Sequence, residues 1–290
     1  MPIRIEVARD SSFCPGVKRA FSIAEETIAG ANGTVYSVGP LIHNPQAVSR
    51  LRSLGLEVID PDEGPLPELE GLPVVIRSHG IDTETEVALK DRGALLVDAT
   101  CPTVKHSQEA AQELARAGYR VVVLGARSHP EVRSIVGRAG APVTVLESVD
   151  EAVQWIEGEG RNAGRIGVVA QTTASRDLLI AVVSLLKERV AEVELRDTIC
   201  SSVAQRQEEA LELAGRVDLM LVVGGHNSSN TNRLAAICES TGVPTRHIED
   251  PSEIRSEWLA GAESVGIIGG SSTPDWLIEE TVARINKTAG

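Results

Sequence analysis

Short apolar segments alternate with longer amphipathic segments along the whole chain. The short segments are rich in Val, Ile and Leu, and the longer ones in Ala, Glu and Arg. Short β-branched runs are typical of buried parallel strands, and the alternation with helical segments is typical of βαβ units. The pattern predicts twelve strands, at Ile3–Val7, Val35–Val38, Glu57–Ile59, Val74–Arg77, Leu95–Val97, Arg120–Leu124, Val143–Val145, Ile166–Ala170, Glu192–Leu195, Asp218–Val223, Thr245–Ile248 and Val265–Gly269.

In chain order these strands form three groups of four. We therefore predict an α/β fold of three similar units, each a small, mostly parallel four-stranded sheet flanked by helices. The predicted units are residues 1–94 with Cys14, 95–190 with Cys101, and 191–290 with Cys200. We expect them to be arranged with pseudo-threefold symmetry around a central cavity.

Polar residues repeat in the same rhythm as the strands. A cysteine follows the first strand of each unit, a glycine ends the second strand 24 or 25 residues later, and a polar residue stands four positions beyond the glycine. Because ligands collect at the carboxyl ends of strands in open α/β sheets, we expect these residues to line the cavity. The repeated positions are Cys14, Cys101 and Cys200; Gly39, Gly125 and Gly224; His43, His129 and Ser228; and, after the fourth strands, Arg77-Ser-His79-Gly80, Gln171-Thr172-Thr173 and Gly270-Ser-Ser272-Thr273.

Composition and charge exclude some classes of binding partner. The 290 residues carry a net charge of −13 and only 2% aromatic side chains. Nucleic-acid surfaces need clustered cations and stacking aromatics, so we expect no nucleic-acid partner. No stretch approaches the length of an apolar membrane span, and the first residues lack a signal-peptide pattern. We expect a cytoplasmic protein without a membrane partner.

Three of the four cysteines are candidate metal ligands. In a reducing compartment they are not expected to form disulfides. One thiolate from each unit suits a cubane iron–sulfur cluster whose fourth iron is open to substrate. Zinc bound by three cysteines and a histidine is an alternative, although structural zinc sites usually contain closely spaced cysteine pairs. Cys238 lies in an apolar helical stretch without a counterpart, so we expect a core residue.

The companions of the cysteines suggest an anion site. Ser228, Ser229 and Asn230 open a predicted helix, where side chains and exposed backbone N–H groups could hold phosphate oxygens, or could simply cap the helix. His43, His79 and His129 each follow a strand and could bind phosphate, although single histidines there are often surface residues. The other histidines, His106, His226 and His247, show no repetition and are expected to be solvated.

Glu131 is the one carboxylate that stands out. It lies two residues after His129 at the same strand end. It could be an ordinary acidic residue in a first helical turn. In a cavity that holds an anionic cluster and a phosphate ligand, its proton affinity should rise, which suits a proton donor.

An ordered set of motifs extends from Cys14 to Asp275. The motifs are Phe13-Cys14-Pro-Gly-Val-Lys, Gly39-Pro-Leu-Ile-His43-Asn44-Pro, Arg77-Ser-His79-Gly80, Asp98-Ala-Thr-Cys101-Pro, Ser128-His129-Pro-Glu131-Val, Gln171-Thr172-Thr173, Asn227-Ser-Ser-Asn230-Thr231-Asn-Arg-Leu and Ser272-Thr-Pro-Asp275. Together they resemble the 4-hydroxy-3-methylbut-2-enyl diphosphate reductases, enzymes of the non-mevalonate isoprenoid pathway. The resemblance implies a cloverleaf of three α/β units around an oxygen-sensitive 4Fe–4S cluster. It also implies a reductive dehydroxylation that gives isopentenyl and dimethylallyl diphosphates.

The resemblance also implies a role for each candidate residue. Cys14, Cys101 and Cys200 would bind iron, and Glu131 would donate the proton. The small allylic diphosphate would be held by His43, His79, Ser228, Asn230 and Ser272, with Ser229 beside them, while His129 and Thr172 border the substrate.

Other functions remain as alternatives. The resemblance implies that quinolinate synthase, another enzyme with three cysteines, has a similar threefold arrangement. Its substrates are dicarboxylates, however, and a site that binds them would be expected to be rich in Arg. A non-catalytic iron–sulfur sensor would need no polar ring. No Gly-x-Gly-x-x-Gly follows a strand, so direct nicotinamide binding is not expected and a protein electron donor of the ferredoxin or flavodoxin type is implied.

Overall fold

The computed structural model describes residues 3–61 and 63–289, in which strands and helices alternate. The strands are β1 Arg4–Val7, β2 Val35–Val38, β3 Leu56–Ile59, β4 Pro73–Ile76, β5 Leu95–Asp98, β6 Arg120–Leu124, β7 Val143–Leu146, β8 Arg165–Ala170, β9 Glu192–Leu195, β10 Leu219–Val223, β11 Thr245–Ile248 and β12 Ser264–Gly269. The helices are α1 Pro15–Gly30, α2 Pro45–Ser53, α3 Thr83–Lys90, α4 Pro102–Arg116, α5 Pro130–Ala139, α6 Val149–Glu157, α7 Arg176–Arg189, α8 Ser201–Ala214, α9 Ser229–Ser240, α10 Ser256–Leu259 and α11 Asp275–Ala289, with a 3₁₀ turn at Pro251–Glu253.

The strands form three four-stranded sheets in which every pairing among the described strands is parallel. Sheet A has the order β1-β12-β10-β11, sheet B has β3-β2-β4-β5, and sheet C has β7-β6-β8-β9. The predicted α/β class and the three small parallel sheets are confirmed. The first and last residues of every predicted strand lie within one position of those of the observed strand.

The grouping of strands into sheets differs from the sequence-based one. The strand that carries each cysteine pairs with the group before it: β5 pairs with β4, β9 with β8, and β1 with β12 at the other end of the chain. Hydrophobic patterning identifies a strand and its buried face but not the strand with which it pairs. The sequence therefore does not predict that each cysteine-bearing strand joins the sheet of the preceding group. The boundaries 1–94, 95–190 and 191–290 remain a prediction about domain division, but they do not coincide with the sheets.

In sheets A and C, alternating apolar residues pack the sheet against helices on both faces. On β10, Met220 and Val222 contact the core formed with α8 and α9, whereas Leu219 and Leu221 contact the core formed with α10 and α11. Sheet C is built in the same way, with α6 and α7 on one face and α4 and α5 on the other. These cores consist largely of Val, Ile, Leu and Ala, as the scarcity of aromatic residues predicts.

The chain divides into two compact bodies. Body I comprises Met1–Ser22, Ile42–Gly55 and Ser201–Gly290 and contains sheet A, and body II comprises Ile23–Leu41 and Leu56–Cys200 and contains sheets B and C. Across residues 3–61 and 63–289, no helix combines the length and the apolar character needed to traverse a lipid bilayer.

Candidate active site

Each of the three repeated cysteines occupies the same local position. The backbone N–H of Cys14 donates to the carbonyl of Ser271 at 3.1 Å, that of Cys101 to Ser78 at 2.9 Å, and that of Cys200 to Thr172 at 2.9 Å. Every acceptor lies just past the carboxyl end of the central strand beside the cysteine's own strand. The repeat seen in the sequence is therefore a repeat of local structure, with each thiol at a strand end.

The cysteines differ in burial in the way the sequence predicts. None of the four, all of which lie in the described part of the chain, forms a disulfide. Cys14, Cys101 and Cys200 are half-buried, whereas Cys238 is fully buried in the core between α8, α9 and β10. Burial raises the pKa of the Cys238 thiol to about 11, which disfavours the thiolate. Cys238 is therefore a core residue, as predicted.

A repeated aspartate positions two of the cysteines. The carboxylate of Asp98 accepts the N–H of Thr100 at 2.9 Å, and that of Asp197 accepts the N–H of Ile199 at 3.2 Å. This turn, in which an aspartate caps the backbone two residues later, bends the chain directly before Cys101 and Cys200. The two aspartates were visible in the matching strings of the sequence, but their positioning role was not recognised.

In body II, Glu131 and Thr172 form a buried pair. Glu131 is only 2% exposed, although it lies in the first turn of α5. Its two carboxylate oxygens accept the backbone N–H of Thr172 at 2.6 Å and the Thr172 hydroxyl at 2.9 Å. The carbonyl of the same threonine accepts the N–H of Cys200, so one residue of the β8 strand end joins the carboxyl group to the cysteine loop.

Burial decides the protonation of Glu131. Desolvation raises the pKa of its carboxyl group to about 7, against the two hydrogen bonds from Thr172, which lower it. The reason is that an ionised carboxylate loses most of its hydration in this position. Near neutral pH the group can therefore both hold and release a proton, which is what a proton donor requires. An ordinary first-turn carboxylate would be exposed and ionised.

Two histidines lie together in body II. His129 precedes α5 as its N-cap, and its Nδ1 accepts the backbone N–H of Glu131 at 3.1 Å. Because Nδ1 is the acceptor, the Nε2 of a neutral His129 carries the proton. The ring of His79, which follows β4, meets the His129 ring edge to face with centroids 5.4 Å apart. The strand ends of sheets B and C thus bring together two of the three predicted phosphate-binding histidines.

Sequence reasoning missed the residues that support this arrangement. The hydroxyl of Ser134, on α5, lies 2.9 Å from the carbonyl of His79 and 2.8 Å from that of Glu131. The side-chain amide of Gln108 donates to the Ser134 oxygen at 3.0 Å. Both residues are buried and polar within helices. A polar residue on the apolar face of a predicted helix is the signal that could have identified them. The sequence does not show which groups such a residue contacts.

In body I, Ser272 contacts the loop that contains His43. The Ser272 hydroxyl donates to the carbonyl of His43 at 3.0 Å. The next residue, Asn44, is the N-cap of α2, and its side-chain oxygen accepts the N–H of Ala47 at 2.9 Å. The same carbonyl of His43 is approached by the backbone at Gly225, where an added Cβ would lie 2.7 Å away. His43, Ser272 and the end of β10 therefore form one local cluster.

The helix start at α9 has the character of an anion site. Ser228 is the N-cap, with its hydroxyl accepting the N–H of Thr231 at 3.3 Å. Asn230 is 2% exposed, and within the described residues neither atom of its side-chain amide has a hydrogen-bond partner. A buried amide without partners is unfavourable unless a ligand completes it. Capping alone accounts for Ser228 but not for Asn230.

The predicted site residues thus lie in two groups. Body I holds Cys14, His43, Ser228, Ser229, Asn230 and Ser272, and body II holds His79, Cys101, His129, Glu131, Thr172 and Cys200. In each group the residues stand at carboxyl strand ends or in the adjoining loops, as the sequence predicts.

Sequence comparison identifies a family and close relatives of the chain. The family model described as LytB protein matches residues 5–286. A 4-hydroxy-3-methylbut-2-enyl diphosphate reductase of Aquifex aeolicus is 43% identical over 291 aligned residues, covering 98% of this chain and 96% of the relative. The enzyme of the same name from Geobacter metallireducens is 43% identical over 285 residues, covering 98% of each.

Solved structures agree with the sequence matches. A structure described as (E)-4-hydroxy-3-methyl-but-2-enyl diphosphate reductase, the terminal enzyme of the non-mevalonate pathway, superposes with a TM-score of 0.73 at 42% identity, covering 98% of this chain and 99% of that one. A reductase structure from Plasmodium falciparum has a TM-score of 0.88 at 23% identity, covering 98% of this chain and 88% of that one, and supports the fold. With its family model, its relatives and its strand-end cysteines in agreement, this chain belongs to the LytB protein family.

Proposed function

We propose that this chain is an oxidoreductase that reduces 4-hydroxy-3-methylbut-2-enyl diphosphate to isopentenyl and dimethylallyl diphosphates, the last step of the non-mevalonate pathway. Relatives named for this reaction match 98% of the chain at 43% identity. The structural observation that carries the proposal is the buried Glu131, with a pKa of about 7, tied through Thr172 to the loop of Cys200.

We further propose that Cys14, Cys101 and Cys200 together hold one 4Fe–4S cluster. The donor set fits: each thiol is half-buried at a strand end with its backbone N–H already bonded, whereas Cys238 is buried in a hydrophobic core. Three thiolates from three sheets suit a cubane better than a structural zinc site. When bound, such a cluster supplies two electrons in single steps, and a fourth iron without a protein ligand supplies Lewis acidity at the substrate hydroxyl.

The polar residues would bind the diphosphate group of the substrate. Glu131 would act on the substrate hydroxyl. Asn230 would satisfy its buried amide on phosphate oxygens, and the N-terminus of α9 offers backbone N–H groups to the same anion. His43, His79, Ser228 and Ser272 would add further contacts, with Ser229 beside them. His129 and Thr172 would border the carbon skeleton.

Glu131 would donate a proton to the leaving hydroxyl. The overall reaction consumes two electrons and two protons, breaks the carbon–oxygen bond, and releases the oxygen as water. The neutral carboxyl group can protonate that oxygen, and Thr172 holds it in place through two hydrogen bonds.

The electrons would come from a small protein carrier of the ferredoxin or flavodoxin type. The chain has no Gly-x-Gly-x-x-Gly motif after a strand, which argues against a bound nicotinamide. We also propose a cytoplasmic location, since thiols that must bind iron are kept reduced there.

Anaerobically purified protein tests the proposal directly. Wild-type protein should contain about four irons per chain, as the cubane requires, should absorb in the visible region, and should turn over the allylic diphosphate with a strong chemical reductant. Cys14→Ser, Cys101→Ser and Cys200→Ser should each lose the absorbance and the activity, and Cys238→Ser, the matched control, should keep both. A colourless protein that contains zinc, or an iron protein without turnover, would contradict the proposal.

A further inference from the structure

Two histidines outside the candidate active site face each other in body I. His226 follows β10, and His247 lies on the neighbouring strand β11. Their rings are 4.2 Å apart between centroids, and the two Nδ1 atoms are 3.3 Å apart. His226 is exposed, whereas His247 is half-buried, so the expectation that both are simply solvated holds only for His226.

The orientation of His247 is set by the backbone. Its Nε2 lies 2.8 Å from the carbonyl oxygen of Gly224. A carbonyl oxygen can only accept, so Nε2 carries the proton and Nδ1 of the neutral ring presents its lone pair towards His226. A histidine whose second nitrogen donates to a carbonyl is the usual arrangement of a metal ligand.

The separation of the two nitrogens suits a shared metal ion. The distance of 3.3 Å between the two nitrogens is at the long end for hydrogen bonds, whose usual range is about 2.7–3.2 Å. Two imidazole nitrogens bound tetrahedrally to zinc at about 2.0–2.1 Å stand about 3.3–3.4 Å apart. The pair is already spaced for one ion, which would replace the proton that the rings could otherwise share.

The surroundings favour a cation. The carboxylate of Glu249 accepts the backbone N–H of His226 at 2.6 Å, and the charges of Glu249 and Glu253 both act on His247. Burial nevertheless lowers the pKa of His247, with the nearby His226 acting in the same direction. Burial therefore disfavours the protonated ring, and the unprotonated ring is the form that binds metal.

We propose that His226 Nδ1 and His247 Nδ1 form a surface binding site for a divalent transition-metal ion such as Zn²⁺, with water completing the coordination. The site is distinct from the three repeated cysteines and does not depend on the proposed reaction. The exposure of His226 gives an ion direct access from solvent.

Equilibrium dialysis of the cluster-loaded protein against Zn²⁺, under anaerobic conditions, tests the site. The variants are His226→Ala and His247→Ala, with His106→Ala as the control, because His106 is an exposed histidine on α4 outside the pair. Each pair variant should bind one Zn²⁺ fewer than wild type, or bind it at least about tenfold more weakly. His106→Ala should match wild type.

A second measurement separates loss of the site from loss of the fold. Without added zinc, His226→Ala should keep the circular dichroism spectrum and the turnover of wild type, because its side chain is at the surface. Zinc should raise the melting temperature of wild type and of His106→Ala, but not of His226→Ala. Equal zinc uptake by wild type and both pair variants would overturn the proposal and leave the pair as a hydrogen bond between rings.

Discussion

At the scale of single residues, chemistry depends on what surrounds a side chain more than on its type. Glu131 and Glu113 are both glutamates on helices of body II, but Glu131 is 2% exposed and Glu113 is exposed to solvent. Burial raises the pKa of Glu131 to about 7. The two residues therefore form a matched pair for testing whether Glu131 donates a proton.

Glu131→Gln should lower turnover by roughly 10²-fold or more and change the KM much less. Glutamine has the same size and can keep both contacts with Thr172, but it cannot deliver a proton. Steady-state kinetics with a chemical reductant measure the effect without limitation by a protein donor. Glu113→Gln should behave as wild type, and near-normal turnover of Glu131→Gln would return that residue to an ordinary first-turn charge.

Glu131 should also determine how turnover depends on pH. A proton donor acts in its neutral form, and a carboxyl group with a pKa of about 7 loses that form as the pH rises above 7. Turnover of wild type should therefore fall on the alkaline side, by about tenfold per pH unit. The residual turnover of Glu131→Gln should lack this limb, and an unchanged limb in that variant would assign it to another group.

Asn230→Ala should weaken substrate binding without weakening the fold. A hydrogen bond to a charged group contributes roughly 1.5–3 kcal/mol, so the KM should rise by about tenfold or more. Within the described residues the Asn230 amide has no partner to lose, so the melting temperature of ligand-free protein should stay the same or rise. Kinetics and thermal unfolding of one variant measure both effects.

Asn44→Ala is the contrasting variant. Asn44 is equally buried, but its side chain caps α2. Its loss should lower the free energy of unfolding by about 1 kcal/mol. If Asn230→Ala were destabilised to the same extent, its amide would have a structural role.

At the scale of elements, close-packed glycines end the strands that lead into the site. Gly125 follows β6 with a φ of +156°, and a Cβ there would lie 2.6 Å from Cβ of Gln171. Side chains rarely adopt this backbone conformation, and Gln171 is itself buried after β8. The repeated glycine in the sequence thus marks a turn where two strand ends approach closely.

Gly125→Ala should lower the free energy of unfolding by roughly 1–3 kcal/mol, through backbone strain and the contact with Gln171. Gly164→Ala is the control, since an added Cβ there meets nothing within 4 Å. It should change stability by no more than about 0.5 kcal/mol. Denaturant unfolding of cluster-free proteins compares the two, and equal stability would show that the β6 turn tolerates a side chain.

At the scale of the whole molecule, stability comes from hydrophobic cores, and those formed by residues 3–61 and 63–289 that are described above contain none of the three repeated cysteines. The cores of sheets A, B and C are built from aliphatic residues of strands and helices, and the cysteine within them is Cys238. Small zinc proteins differ, because their metal replaces a core and they unfold without it.

Removal of the cluster with a chelator under reducing conditions should therefore leave the far-ultraviolet circular dichroism nearly unchanged. The melting temperature should fall, because a ligand that binds only the folded state stabilises it. Loss of the helical signal on removal would mean that the cluster organises the sheets, and would contradict the prediction that the hydrophobic cores are independent of it.

The sequence alone determined the elements and the candidate chemistry. All twelve strands were predicted to within one residue, because apolar runs and helical periodicity are local signals. The repeated cysteines, the glycines and the polar residues at strand ends were visible for the same reason, since they recur at constant spacing. The family resemblance rested on these residues, and the comparisons confirm it.

Tertiary structure decided which strands pair and what surrounds each side chain. β1 pairs with β12, although they lie at opposite ends of the chain, and pairing of this kind leaves no local signal. Likewise Glu131 meets Thr172 across 41 positions, and His226 meets His247 across 21. Burial, and with it the pKa of Glu131 and the spacing of the histidine pair, depends on these distant contacts, so it could be known only from the folded chain.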